Sequence, residues 1–561
     1  MTTIARKLPW LCVLLWLAGC APERTLYVGG PILTVDEEDR VVEALGIEGE
    51  RIAFVGSRAD GEAWAEGQAR VVELDGRAVV PGFIDAHGHF PGAGLYAVNA
   101  DLNSPPIGDV RTFDDLLERV RAKAEETPAG EWVMGWGYDD TLLAEKRHPT
   151  REDLDRATTD HPVVCFHVSG HLVAVNTRAL ELLGIDRDTP DPEGGVIRRD
   201  PKTGEPDGVL EENAMHGVTG LLGEPSLSDS WRMLREGDRR YRAAGVTTAQ
   251  NGYAAATHLT GLSWLGRLGV IDTRMVLWPG DEVAEQLRDG TLELNVSEGP
   301  HARLGAVKII ADGSIQGYTG YLSEPYFDPP GDDPAYRGYP RVARDELIEK
   351  VSRYHEAGWQ VAVHGNGDAS IDDILDAFEE AQRRAPREDT RHVIIHAQMA
   401  REDQLDRMQA LGVIPSFFVL HTYYWGDRHR DIFMGPERAA RMSPARSAAD
   451  RGIRFTLHCD TPVVPMEPLR LIWSAVNRRS SSGKPIGPAQ RITPREALRA
   501  VTIDAARQHF EEEDKGSLEP GKLADLVILS RSPLDDQASI DEIQVLETVI
   551  GGATVHRAAG S

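Results

Sequence analysis

The chain has 561 residues, too many for one small core, and its 41% hydrophobic and 27% charged residues are those of a folded globular protein rather than a disordered one. With 61 Lys and Arg against 89 Asp and Glu the net charge is −28, which excludes nucleic-acid binding as the organising function, because phosphate tracking needs clustered cations.

Residues 1–20 read as an export signal rather than part of a fold. Arg6 and Lys7 precede an apolar run from Leu8 to Leu17, and Leu17-Ala18-Gly19-Cys20 follows. The run is shorter than the roughly 20 residues that a spanning helix needs. The tetrapeptide is similar to a bacterial lipobox, which implies lipidation of Cys20 and a protein tied to the cell envelope by its lipid anchor alone. Ala21 after it, compared with sorted lipoproteins, implies the periplasmic face of the outer membrane. Beyond Cys20 only Cys165 and Cys459 remain, which is no disulfide framework, and both read as small buried hydrophobes.

Short β-like runs follow at Thr25–Val28, Ala44–Ile47 and Arg51–Val55, and again near the other end at Leu526–Leu529 and Val545–Ile550. Two β-rich ends around an α/β middle predict one small β-sandwich domain built from residues 21–80 and from the end of 501–561, after a C-terminal helix. Between them apolar runs alternate with amphipathic stretches, the pattern of βα units with buried parallel strands. Eight such runs stand at Val79–Ile84, Val246–Gln250, Thr273–Leu277, Gly305–Ile310, Gln360–Val363, His392–Ile395, Val413–Val419 and Gly452–Leu457. Eight strands predict a (β/α)₈ TIM barrel over residues 81–500. Helices are expected at Arg344–Ala357, Ser370–Arg383 and Arg401–Leu411, and Thr493-Pro494-Arg495-Glu496 has the form of a capped helix start. The connection 85–245 is too long for a βα loop. It predicts an inserted subdomain, about 100–240, over the barrel mouth, with strands near Trp132–Trp136 and Val163–His167. A Gly-, Pro- and Tyr-rich stretch, about 313–340, reads as an irregular loop at the same mouth.

The strongest local signal is Pro81-Gly82-Phe83-Ile84-Asp85-Ala86-His87-Gly88-His89. Two histidines one residue apart at a strand end point the same way, so both imidazoles can reach one metal ion. No Gly-rich phosphate loop and no Gly-x-Ser-x-Gly nucleophile turn competes with it.

This segment resembles the first-strand metal motif of the amidohydrolase superfamily, and the chain from about residue 25 to 558 resembles its third large branch, the deformylase-like and aminoacylase-like enzymes. That resemblance implies further ligands at the ends of strands 4, 5, 6 and 8, where the strand count places Lys308, His364, His396 and Asp460. It implies that Lys308 is carboxylated and bridges two metals, and that Asp460, itself a metal ligand, shuttles the proton. On their own, Lys308 also reads as a lysine snorkelling from a strand end, His364 and His396 as core histidines, and Asp460 as the cap of a turn. His171 and Glu212 match segments that face the mouth in relatives and are expected to touch substrate. Where relatives often carry an Arg, Gly313-Ser314-Ile315-Gln316-Gly317-Tyr318 has none, which argues against a carboxylate-bearing substrate. His421, Tyr423, Tyr424 and Trp425 suggest an aromatic wall.

One or two divalent ions, Zn²⁺ on nitrogen-rich ligands, are therefore expected to activate water against a small N-acyl or formamide-like substrate, with no nucleic-acid partner and with room for a homo-oligomer. Alternatives are a deaminase or lactone hydrolase on the same site, or a non-catalytic surface binding or regulatory protein.

Overall fold

The computed structural model describes residues 23–223 and 225–559. The export segment and Cys20 lie outside the described residues. Among those described, no helix is long and apolar enough to cross a membrane.

Both chain ends meet in one eight-stranded sheet. Its order runs Ala553–Arg557, Val545–Ile550, Leu526–Leu529, Ala78–Pro81, Arg24–Leu33, Val41–Glu48 and Arg51–Gly56, with Arg70–Glu73 also paired to Arg24–Leu33. Alternation sets its two faces. Tyr27 and Ile32 pack with Leu526 and Val549 on one side, while Leu26 and Val28 pack with Ala65 of the helix Arg58–Ala65 on the other.

The middle of the chain builds two parallel sheets. One orders Phe83–Ile84, Val246–Ala254, Arg274–Pro279 and Ala302–Leu304; the other orders Val307–Ile310, Val361–Gly365, Val393–His396, Ile414–Phe417 and Thr456–Leu457. The strands are almost wholly buried, as strands covered on both faces must be. The expected single strand Gly305–Ile310 is instead Val307–Ile310, preceded by a separate strand Ala302–Leu304. A side chain at Gly305 would sit 2.4 Å from the Trp278 ring. The chain therefore passes that ring without a side chain, and its pairing changes from Arg274–Pro279 to Val361–Gly365. The expected strand Gly452–Leu457 starts only at Thr456, because Gly452 at φ 69° is still turning out of the helix Ala445–Asp450.

Helices Arg344–Glu356, Asp368–Arg384 and Glu402–Leu411 lie between the later strands. Asp368–Arg384 buries Ile371, Ile374, Leu375 and Phe378, one face at helical spacing. Thr493 caps Pro494–Ala500 by the reciprocal bond with Glu496 that its sequence predicts. The first and last parallel strands meet through backbone bonds just past their ends: Asp460 N–H donates to His87 O at 3.2 Å and His89 N–H to Thr461 O at 2.8 Å.

Residues between the first two of these strands form a six-stranded sheet ordered Gly195–Arg199, Pro206–Glu212, Leu172–Val175, Val163–His167, Val133–Tyr138 and Ala100–Asp101. The terminal sheet is tied to the parallel strands by a buried ion pair, in which the Arg274 guanidinium meets the Asp525 carboxylate at 2.7 and 3.1 Å. Cys165 and Cys459 are free and buried.

Candidate active site

The carboxyl ends of the parallel strands open into a cavity of about 340 Å³. His87, His89, Lys308, His364, His396 and Asp460 all line it, and so does His171. Glu212 stands one layer back. Parallel strands place their last residues on one face, so ligand candidates spread over 373 positions of sequence reach one space.

Local backbone shape does the aiming. His396 (φ 71°), Ala397 (φ 43°) and Asp460 (φ 54°) lie in the left-handed region, which costs a non-glycine residue free energy and concentrates at functional sites. Close approach does the rest: a side chain at Gly252 would stand 2.2 Å from His87 Cε1 and one at Gly313 would stand 2.0 Å from Glu212 Oε1.

His87 Nε2 and His89 Nε2 lie 3.5 and 3.3 Å from Asp460 Oδ1, and the three potential donor atoms lie within 4.8 Å of one another. Lys308 Nζ is 3.1 Å from His87 Nε2. The rings of His364 and His396 are 4.6 Å apart, and His396 Nε2 is 3.9 Å from Asp460 Oδ2. Burial drives the imidazoles of His87, His364 and His396 well below their usual range, so they are neutral. Burial also brings the Lys308 ammonium down to about 7, although Asp460 opposes the shift. For Asp460 burial pulls upward, but His89, His458 and Lys308 together hold the carboxyl below its ordinary value. Asp460 Oδ1 and His87 Nδ1 are buried without a hydrogen-bond partner among the described residues. Neutral imidazoles around an anionic, unpartnered oxygen are a donor set that fits a divalent cation.

His171 and Glu212 pair with each other, Nδ1 to Oε2 at 2.9 Å, so Glu212 orients His171 at the cavity wall. Burial would raise the Glu212 carboxyl, but His171 and Arg341 keep it low. The expected aromatic wall is elsewhere. His421, Tyr423, Tyr424 and Trp425 do not line this cavity, since the chain after Ile414–Phe417 turns at once into the short helix His421–Tyr424. The apolar wall is instead Phe90, Leu95, Trp136, Met233, Pro462 and Val463.

Sequence reasoning missed Asp312 and Arg341. Asp312 Oδ1 meets His364 Nδ1 at 3.1 Å, and backbone amides of Asn366, Gly367 and Tyr321 also donate to this carboxylate. Burial raises it to about 7 against those bonds. Its signal was present in Ala311-Asp312-Gly313, a carboxylate closing a strand end. Arg341 carries no local signal, because only the fold brings it to Glu212. Asp139, Asp140 and His167 form a second group with metal-compatible spacing. Arg428 and the Trp425 indole already bond Asp139, and His167 bonds Asp140, so that group ties the six-stranded sheet to the loop after Ile414–Phe417.

A family model described as "Amidohydrolase family" matches residues 70–556. The chain belongs to that family. Among similar proteins, the N-substituted formamide deformylase of Arthrobacter pascens is 31% identical over 96% of this chain and 99% of its own. The putative amidohydrolase YtcJ of Bacillus subtilis is 29% identical over 95% and 99%. Among solved structures, an uncharacterized metal-dependent hydrolase from Pyrococcus furiosus superposes with a TM-score of 0.70 at 28% identity, covering 91% of this chain and all of that one. This amidohydrolase is an enzyme acting on carbon–nitrogen bonds, with one candidate metal-binding group, His87, His89 and Asp460, in its cavity.

Proposed function

We propose that this amidohydrolase is a metal-dependent hydrolase that cleaves an N-acyl or formamide-like bond of a small molecule. The observation that carries the reading is the single cavity in which His87, His89, Lys308, His364, His396 and Asp460 converge. The parallel strands, in this reading, close into a (β/α)₈ barrel, with the terminal sheet as its β-sandwich partner. His87, His89, His364, His396 and Asp460 would hold one or two divalent ions, zinc by the nitrogen-rich donor set. Such an ion supplies Lewis acidity, polarising the scissile carbonyl and making water acidic enough to ionise near neutral pH.

The chain's own residues do the rest. Asp460 accepts the proton of the attacking water and returns it to the leaving nitrogen as the C–N bond breaks. Lys308, with its charge weakened by burial, is poised to add CO₂: its amine lone pair forms the N–C bond and one N–H proton leaves to solvent. The carbamate so formed would be an anion offering oxygen donors to the metal site. His171, held by Glu212, contacts the substrate, and Phe90, Leu95 and Met233 take its apolar part. The 31% identity to an N-substituted formamide deformylase supports this substrate class.

Turnover of a panel of N-acyl and N-formyl amines by the zinc-loaded protein tests the reading. Release of the free amine supports it; turnover confined to lactones or amino-heterocycles refutes it. The chain would work at the cell envelope, anchored through lipidated Cys20, as a monomer or homo-oligomer. Cys20→Ala should abolish the acyl mass shift and the membrane association.

A further inference from the structure

His364 and His396 both line the cavity, yet they are held from behind by different chemistry. Behind His364 stands the Asp312 carboxylate, which can only accept from Nδ1–H when ionised. Behind His396 stands another imidazole. His458 Nε2 lies 3.1 Å from His396 Nδ1, and His458 Nδ1 lies 2.9 Å from Ser416 Oγ. All three residues are buried, so water does not compete for these bonds. The His458 ring is stacked on Phe418, with 5.4 Å between centroids and planes at 26°, which fixes the direction of both nitrogens.

We propose that His458 is a positioning residue: Ser416, His458 and His396 form a hydrogen-bonded relay that holds His396 as its Nδ1–H tautomer, with the Nε2 lone pair turned into the cavity. A neutral imidazole carries one N–H. With that hydrogen on His396 Nδ1, His458 Nε2 accepts it, the His458 hydrogen sits on Nδ1, and Ser416 Oγ accepts in turn. Nε2 of His396 then faces the cavity and Asp460 as a bare donor atom. The opposite setting, with Ser416 donating and each imidazole passing its Nε2–H onward, leaves a hydrogen on His396 Nε2 and closes that donor to any cation. A hydrogen bond to the far nitrogen of a metal-binding histidine fixes its tautomer, and losing such a partner typically costs roughly 10–100-fold in metal affinity.

The consequence for metal rests on the proposed metal-dependent reading; the tautomer itself belongs to the metal-free protein. Histidine-¹⁵N-labelled protein tests it through long-range ¹H–¹⁵N spectra without metal, together with zinc affinity by chelator competition. His396 should show a protected proton on Nδ1, and His458→Phe should lose that proton and bind zinc roughly 10–100-fold more weakly. His458→Gln, whose amide oxygen can still accept, should keep both close to wild type. A wild-type His396 with its proton on Nε2 overturns the relay, and so does an unchanged zinc affinity in folded His458→Phe. Should His458→Phe fail to fold, the wild-type spectrum and His458→Gln decide. A wild type that shows the Nδ1 proton but takes up no zinc would retain the relay and sink the metal reading.

Discussion

Asp460 has three jobs in this cavity, and only one needs its charge. Its backbone N–H bonds His87 O, its left-handed φ aims the side chain, and its carboxylate faces His87 and His89. Asp460→Asn keeps the first two and removes the carboxylate that the proposed mechanism uses as its proton acceptor. Its kcat should fall about 10²–10⁴-fold, while circular dichroism and melting stay near wild type. A near-normal kcat with metal still bound would take Asp460 out of the chemistry. Lys308 makes a complementary prediction through pH. Its ordinary value is 10.5 and burial lowers it to about 7. Between those values the unfolded chain binds a proton that the folded chain does not, so stability from this group rises as pH rises. Metal-free wild type should therefore gain urea resistance from pH 7 to 10 relative to Lys308→Met. Parallel profiles would show that Lys308 is not held as a strained neutral amine. His87, His89, His364, His396 and Asp460 were each legible as single letters at strand ends. Asp312 closes a strand as visibly as they do, but its bond to His364 Nδ1, like that of His458 to His396 Nδ1, could not be read from the letters.

Elements were legible where periodicity and capping agree. Thr493 and Glu496 marked a helix start from four letters, and both bonds of the box form. Thr493→Ala should cost about 1 kcal/mol, read as a shift in urea midpoint with an unchanged slope. Strand limits were harder to read. The break falls at Gly305, where the Trp278 ring leaves no room for a side chain, a contact that no window of local sequence contains. The join between the terminal sheet and the parallel strands was equally invisible, because Arg274 and Asp525 are 251 residues apart. Each is about 2% exposed at its side chain. Asp525→Asn leaves the guanidinium buried without its counter-charge and should cost about 3–5 kcal/mol. Arg274→Met combined with Asp525→Leu should recover much of that, and failure to do so would show that the pair specifies the join as well as stabilising it.

For the molecule as a whole, the buried histidines set the acid limit. His148, His392 and His421 are each pushed down to about 3 by burial from the usual 6.5. Below 6.5 the unfolded chain takes up protons that these folded sites refuse, so their contribution is complete above that pH and is lost as pH falls towards 3. Asp85 and Asp312, raised to about 7 by burial, act in the opposite sense over part of the same range. Burial also holds down His364, His396, His429 and His458 and pushes up Asp207, Asp373 and Asp504, so lowered imidazoles outnumber raised carboxyls. The metal-free protein should thus lose denaturant resistance from pH 6.5 to 4. A flat or rising profile would mean that these histidines are hydrated or differently paired.

The bonds from Asp460 to His87 and from His89 to Thr461 have a consequence in time as well as in space. The two halves of the candidate metal site are nearly four hundred residues apart, so bringing them together closes a very long loop, and this contact is expected late in folding. The His87–His89 pair after the first parallel strand can capture an ion early but weakly. High-affinity uptake must wait for the last strand to dock against the first. In refolding, tight zinc uptake should trail the recovery of tryptophan fluorescence, and tight uptake that keeps pace with that recovery would show the first and last strands already docked.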